Sequence, residues 1–158
     1  MNDTQKQAIL SKLQELKDLR IFNKMEERMI FEIMKRCDIK QYQAGETVFQ
    51  EGDTDDYSLY IVVRGEFEVI AASKEGEPVT FSCAGKGLTF GEISFLDAQP
   101  RSATLKTTED AEVLRFTQYD YLNVLNQAPE VAARFMIGIA EILSRRLRGA
   151  NRRLKFVS

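Results

Sequence analysis

Histidine is absent from this 158-residue sequence, and cysteine occurs only twice. Without imidazole there is no Ser-His-Asp or Cys-His nucleophile, no histidine general base, no histidine zinc ligand and no histidine-ligated haem. Cys37 and Cys83 are too few for an iron–sulfur cluster, and their separation fits no metal-ligand spacing. Two free thiols are expected rather than a disulfide. Long apolar runs are missing as well. Nothing approaches the roughly 18 residues of a membrane-spanning helix, and the charged start MNDTQKQAILSKLQELKDLR lacks the apolar centre of a signal peptide. The expected location is the cytoplasm, and an enzyme is the reading with least support.

Acidic residues are missing from one end. None follows Glu141, whereas Arg145, Arg146, Arg148, Arg152, Arg153 and Lys155 do. Of the 22 bases and 24 acids, residues 1–141 keep 16 bases and all 24 acids, a balance of about −8. An acidic body with a basic tail does not suit a general nucleic-acid binder. The tail is either a solvated helix face or a contact for nucleic acid, anionic lipid or an acidic partner.

What is present reads as one domain with a real core, 44% hydrophobic and 29% charged. Ile9, Leu10, Leu13, Leu16 and Leu19 recur at helical spacing over residues 3–19, with Asp3 or Thr4 as the N-cap. Met25, Met29, Ile30, Ile33 and Met34 predict a second helix over 24–38. The period then changes. From Ile39 to Phe116 short alternating runs rich in Val, Ile, Phe, Tyr and Thr are cut by turn residues, which predicts an antiparallel sandwich or barrel. KEGE at 74–77 marks a hairpin tip.

Helical spacing returns at 117–128, opened by Thr117, and Pro129 starts a last helix. In it Met136, Ala140, Leu143, Leu147, Ala150 and Leu154 alternate at intervals of four and three. Such a heptad seam serves either a homodimer or packing of the helix within the chain.

Residues 90–105, FGEISFLDAQPRSATL, carry the chemistry. Gly91-Glu92 opens a short helix whose first amides lack intrahelical partners, a setting that favours an anion. Arg101 adds a planar cationic fork suited to two phosphate oxygens, and Ser102 and Ala103 can complete the cradle. Glu92 would repel a phosphate unless it accepts a hydrogen bond from a hydroxyl of the same ligand, as an acid does for ribose in dinucleotide folds. One arginine implies a low phosphate charge, and phosphate plus ribose beside an apolar wall implies a cyclic nucleotide. The competing reading is a Glu92–Arg101 ion pair that ties down a surface loop.

The segment FGEISFLDAQPRSAT resembles the phosphate-binding cassette of the cyclic nucleotide-binding domain family, and AGETVFQEGDTDDYSLYIVVRGEFEV resembles that family's first barrel strands. The resemblance runs from about Ile21 to Leu154. It implies mainly β structure: an antiparallel β-barrel (jelly roll) with N-terminal helices and a long C-terminal lid or dimer helix. The implied parts are an N-terminal helix at 1–20, the binding barrel with its flanking helices at 21–129, and the C-terminal helix at 130–158.

By the same resemblance Glu92 binds the ribose 2′-hydroxyl beside Gly91, and Ile93 and Ser94 face the phosphate or ribose through their amides. Arg101 pairs with an exocyclic phosphate oxygen, while Ser102 and Ala103 cap the phosphate. Val69 and Phe81 are candidates for the wall beside the base, and Asn151 for a hydrogen bond to its edge. Ser102 follows the Arg-Ser-Ala pattern of bacterial cAMP binders, so cAMP is expected ahead of cGMP, with no cofactor or metal. Catabolite activator-type members continue into a helix-turn-helix domain. This chain has no residues for one after the last helix, so the expectation is a stand-alone sensor or one module of a larger protein, with an unknown downstream partner.

Overall fold

The computed structural model describes residues 1–157, with the side chains of residues 82, 84 and 153–157 outside the description. The chain divides into a helical unit, residues 1–35 together with those from Asn123 onward, and a β unit, Arg36–Leu122.

Eight strands build the β unit: β1 (Asp38–Tyr42), β2 (Thr47–Phe49), β3 (Leu59–Arg64), β4 (Glu66–Ala72), β5 (Pro78–Ala84), β6 (Thr89–Phe90), β7 (Thr104–Thr107) and β8 (Ala111–Phe116). They form two antiparallel four-stranded sheets, ordered β1-β8-β3-β6 and β2-β7-β4-β5. The two sheets are the antiparallel arrangement expected from the alternating runs, and the jelly roll is the one implied by the family resemblance. Tyr60, Val62, Phe67, Phe90, Leu105, Ala111 and Val113 fill the space between the sheets, and burying each large apolar side chain there is worth about 1.5–3 kcal/mol. Strand β3 is buried from Leu59 to Val63, as its unbroken apolar run requires. The β4–β5 tip is the KEGE segment, closed by the Ser73 amide donating to Glu77 O at 3.0 Å. Two short helices complete this part, α3 (Glu92–Asp97) and the start of α4 (Gln118–Gln127). Thr117 and Asp120 cap α4 reciprocally, each amide bonding the other's side chain at 3.0 Å. Cys37 and Cys83 are free thiols, and burial pushes the Cys37 pKa well above the ordinary thiol range.

In the helical unit α1 spans Asp3–Leu16, and its N-cap is Asn2 rather than Asp3 or Thr4. Asn2 and Gln5 exchange side-chain-to-backbone bonds, so a complete capping box outcompetes the later residues. The helix stops earlier than its apolar spacing suggested, and a 3-10 turn at Arg20–Phe22 leads to α2, confined to Glu27–Met34. The last helix, α5, runs unbroken from Pro129 to Val157.

Val131, Ala132, Phe135 and Ile139 form the buried face of α5, one stripe at helical spacing. Phe135 packs on Phe22 with ring centroids 6.3 Å apart. Arg134 donates to Lys24 O at 3.0 Å, and Asn23 donates to Glu141 at 3.1 Å. The heptad seam lies on the adjoining side of the helix. Along it Ala140 and Leu147 are exposed and Met136, Leu143 and Ala150 half-buried, while the Leu154 side chain lies outside the described residues. Intramolecular packing therefore uses a different stripe from the seam.

Gly138 makes that packing possible. A Cβ at this position would stand 2.1 Å from the carbonyl oxygen of Ile21, and the obstacle is backbone. Gly138→Ala is expected to destabilise the chain by about 1–3 kcal/mol through overpacking, even though alanine is the better helix former. Denaturant unfolding of the two proteins checks this. Equal stability would show that α5 yields at this contact.

Candidate functional site

The GEISFLDAQPRSA segment folds as a short helix between two left-handed residues, Gly91 (φ 80°) and Ala98 (φ 55°). Gly91 follows β6 and turns the chain abruptly into α3. No side chain caps the start of α3. Glu92 and Ser94 point inward and are buried, whereas Ile93 is half exposed. Gly91 must lack a side chain for two reasons. Its φ is costly for any L-residue, and a Cβ would meet Arg101 Nη1 at 2.5 Å and Ser58 O at 2.7 Å.

Arg101 is the centre of the arrangement, a cation only 2% exposed. Its backbone is clamped by the turn at 50–53: the Arg101 amide donates to Asp53 O at 3.1 Å, and the Gly52 amide donates to Arg101 O at 2.8 Å. Its guanidinium donates from Nη2 to Ser58 O at 2.9 Å and from Nη1 to Gly91 O at 3.2 Å. The ring of Phe49 lies 4.2 Å beneath the guanidinium carbon and Tyr60 lies 5.9 Å away, so the charge rests on aromatic faces. The buried Nε–H donor has no hydrogen-bond partner. Burial pulls the Arg101 pKa below the ordinary arginine value, and Asp56 opposes that pull.

Asp56 is a carboxylate partner of Arg101, 3.7 Å from its Nη2. It also accepts from Tyr60 Oη at 2.6 Å, from the Ser58 amide at 3.0 Å and from Arg115 Nη2 at 3.1 Å. Burial raises the pKa of such an acid, but the bonds from Ser58, Tyr60 and Arg115 outweigh it and hold Asp56 at about 2. Arg115 in turn reaches Asp38 at 3.2 Å. Asp56 thus ties the cassette arginine to the β8 arginine through one carboxylate.

The structure brings Arg101 against Gly91 at the start of α3, the helix in which Glu92 and Ser94 are buried. The surface-loop reading of Glu92 and Arg101 does not hold, because both are buried, Glu92 to 5% exposure. Ser102 is exposed and Ala103 half-buried. Val69 packs against the barrel core and pairs across the sheet with Phe81. Phe81 is 58% exposed, because β5 is an edge strand of its sheet. Asn151 is exposed on α5, in the helical unit, and its assignment to a base edge rests on the resemblance alone.

Sequence reasoning missed Asp56, Ser58, Tyr60, Phe49 and Arg115. A signal was available in DYSLY, where Asp56, Ser58 and Tyr60 alternate and so share one face of an extended segment.

Residues 39–128 match the model of the cyclic nucleotide-binding domain. The chain is similar to the cyclic AMP receptor protein of Thermus thermophilus, with 35% identity over 117 residues that cover 74% of this chain and 52% of that protein. Among solved structures it is similar to the catabolite activator protein of the same organism, with a TM-score of 0.76, 28% identity, and coverage of 87% of this chain and 62% of the other. A cyclic nucleotide-binding domain from Methylobacillus flagellatus shares the fold at a TM-score of 0.83 and 18% identity, covering 96% of this chain and 85% of the other. The chain spans about half the length of the curated receptor protein it matches.

Two measurements test the site's architecture. Asp56 has a folded-state pKa near 2, below the ordinary value of about 3.9. Its stabilising effect is therefore complete above that ordinary value and is lost as pH falls toward about 2. Asp56→Asn should be less stable than the parent at neutral pH, with the gap closing on acidification; a constant gap in unfolding experiments across that range would contradict the assignment. Gly91→Ala should lower stability and displace Arg101, seen as altered near-ultraviolet dichroism from Tyr60.

Proposed function

We propose that this chain, which belongs to the cyclic nucleotide-binding domain family, is a non-enzymatic cytoplasmic sensor of cAMP. The observation that carries the reading is Arg101: a buried cation whose Nε–H donor has no hydrogen-bond partner, and whose position is fixed at both backbone and side chain. A phosphodiester oxygen would accept from that donor, and its single negative charge matches the single cation of the cradle. Glu92 would accept from the ribose 2′-hydroxyl, with Ser94, Ser102 and Ala103 around the phosphate and Ile93 contributing its amide. Val69 and Phe81 would supply the wall beside the base, and the exposure of Phe81 leaves its ring available for stacking. Ser102 favours cAMP over cGMP by the family pattern.

Receiving a ligand would cost Arg101 little, because its spare Nε–H can donate while the bonds to Ser58 O and Gly91 O stay in place. The long Asp56 contact is its weakest interaction, and Asp56 keeps Arg115, Tyr60 and Ser58 as partners. Because that network crosses from β3 to β8, ligand binding would reach beyond the cassette. The output would be a change in the position or pairing of α5, a population shift between two arrangements. Pairing with a second copy is favoured by the seam of Met136, Ala140, Leu143, Leu147 and Ala150, which stands beside the packed face and is not part of it. The spanned half of the receptor-type relatives leaves the downstream partner open.

Calorimetric titration of the purified chain should show binding of cAMP tighter than that of cGMP. Arg101→Ala should weaken binding by about 2 kcal/mol, roughly thirtyfold, since it leaves the phosphate charge unpaired. Ser102→Thr should narrow the preference toward cGMP. Failure of the folded parent chain to bind either nucleotide would overturn the reading.

A further inference from the structure

The end of α5 carries a charge pattern that the nucleotide site does not use. From Ser144 to Arg148 every residue is exposed, and Asn151 and Arg152 are exposed as well. Four of the exposed side chains in this stretch are arginines, Arg145, Arg146, Arg148 and Arg152, and no acid follows Glu141. Leu147, 62% exposed, stands between Arg146 and Arg148. At 3.6 residues per turn those two arginines flank Leu147 on either side, with half-buried Leu143 one turn before it on the same side. The remaining arginines lie across a helix about 10–12 Å wide, close to one Debye length, so they add to the attraction of a surface that the leucine touches.

We infer that this segment of α5 docks on an anionic lipid surface. A row of arginines alone would suit any polyanion. The exposed leucine, placed at the centre of the cationic stretch, fits the boundary between headgroups and acyl chains and has no use on a nucleic-acid backbone. The contact is peripheral, since no helix among the described residues is long and apolar enough to cross a membrane. It also competes with pairing: a helix paired through Leu147 withholds that side chain from lipid. The inference stands independently of the nucleotide reading.

The test is co-sedimentation of the full chain with phosphatidylcholine vesicles, with and without phosphatidylserine, at low and high salt. Binding should require phosphatidylserine and be reversed by salt. Replacing Arg145, Arg148 and Arg152 by Gln should weaken it by up to roughly a hundredfold, at about fivefold per neutralised charge. Leu147→Asn should weaken vesicle binding while leaving salt-dependent retention on heparin unchanged. No binding to phosphatidylserine vesicles, or equal binding to both vesicle types, would overturn the inference. Vesicle binding unaffected by Leu147→Asn, together with tighter binding to duplex DNA at the same salt, would assign the stripe to nucleic acid instead.

Discussion

A charge buried within the β unit is the constraint from which the site is built. Arg101 sits 2% exposed, and a guanidinium can be held there only if its donors find acceptors and its charge finds a partner. The chain meets these demands with the carbonyls of Ser58 and Gly91, the faces of Phe49 and Tyr60, and the carboxylate of Asp56. Each of these fixes another part of the fold. Gly91 must be glycine because Arg101 fills the space a Cβ would take. The turn at 50–53 must close as it does because it clamps the Arg101 backbone. One donor, Nε–H, is left over.

Asp56 gives this arrangement its reach. It sits between Arg101 and Arg115 and is satisfied by Ser58 and Tyr60 besides. A carboxylate with that many donors remains ionised and keeps its place when one partner leaves. Loss of the long contact to Arg101 would therefore leave Asp56 still paired with Arg115 and bonded to Tyr60 and Ser58. In the helical unit the backbone contact of Gly138 against Ile21 plays a comparable part, setting how closely α5 approaches the 3-10 turn.

Local pattern made much of this legible. The alternating strands and the Gly-bearing turns led to an antiparallel sandwich or barrel, and the resemblance of the Gly-Glu and Pro-Arg-Ser-Ala segments narrowed it to a jelly roll. Contacts between distant segments were not legible. Asp56 meets Arg101 and Arg115 only after the sheets form, because the partners lie far apart in sequence. The stripes of α5 were ambiguous for a different reason. Phe135 and Ile139 lie next to Met136 and Ala140, so two apolar faces overlap in the sequence and only packing reveals which is buried. At the N-terminus Asn2, Asp3 and Thr4 are all good caps by type, and the Gln5 side chain selects Asn2.

The spare Nε–H of Arg101 is the group on which the proposed cyclic-nucleotide site depends. The most direct measurement is the nitrogen-15 resonance of Arg101 Nε–H, assigned by its loss in Arg101→Lys and followed while cAMP is added. A large downfield shift that saturates with the ligand is the predicted result. Saturating cAMP that leaves this resonance in place would contradict the account.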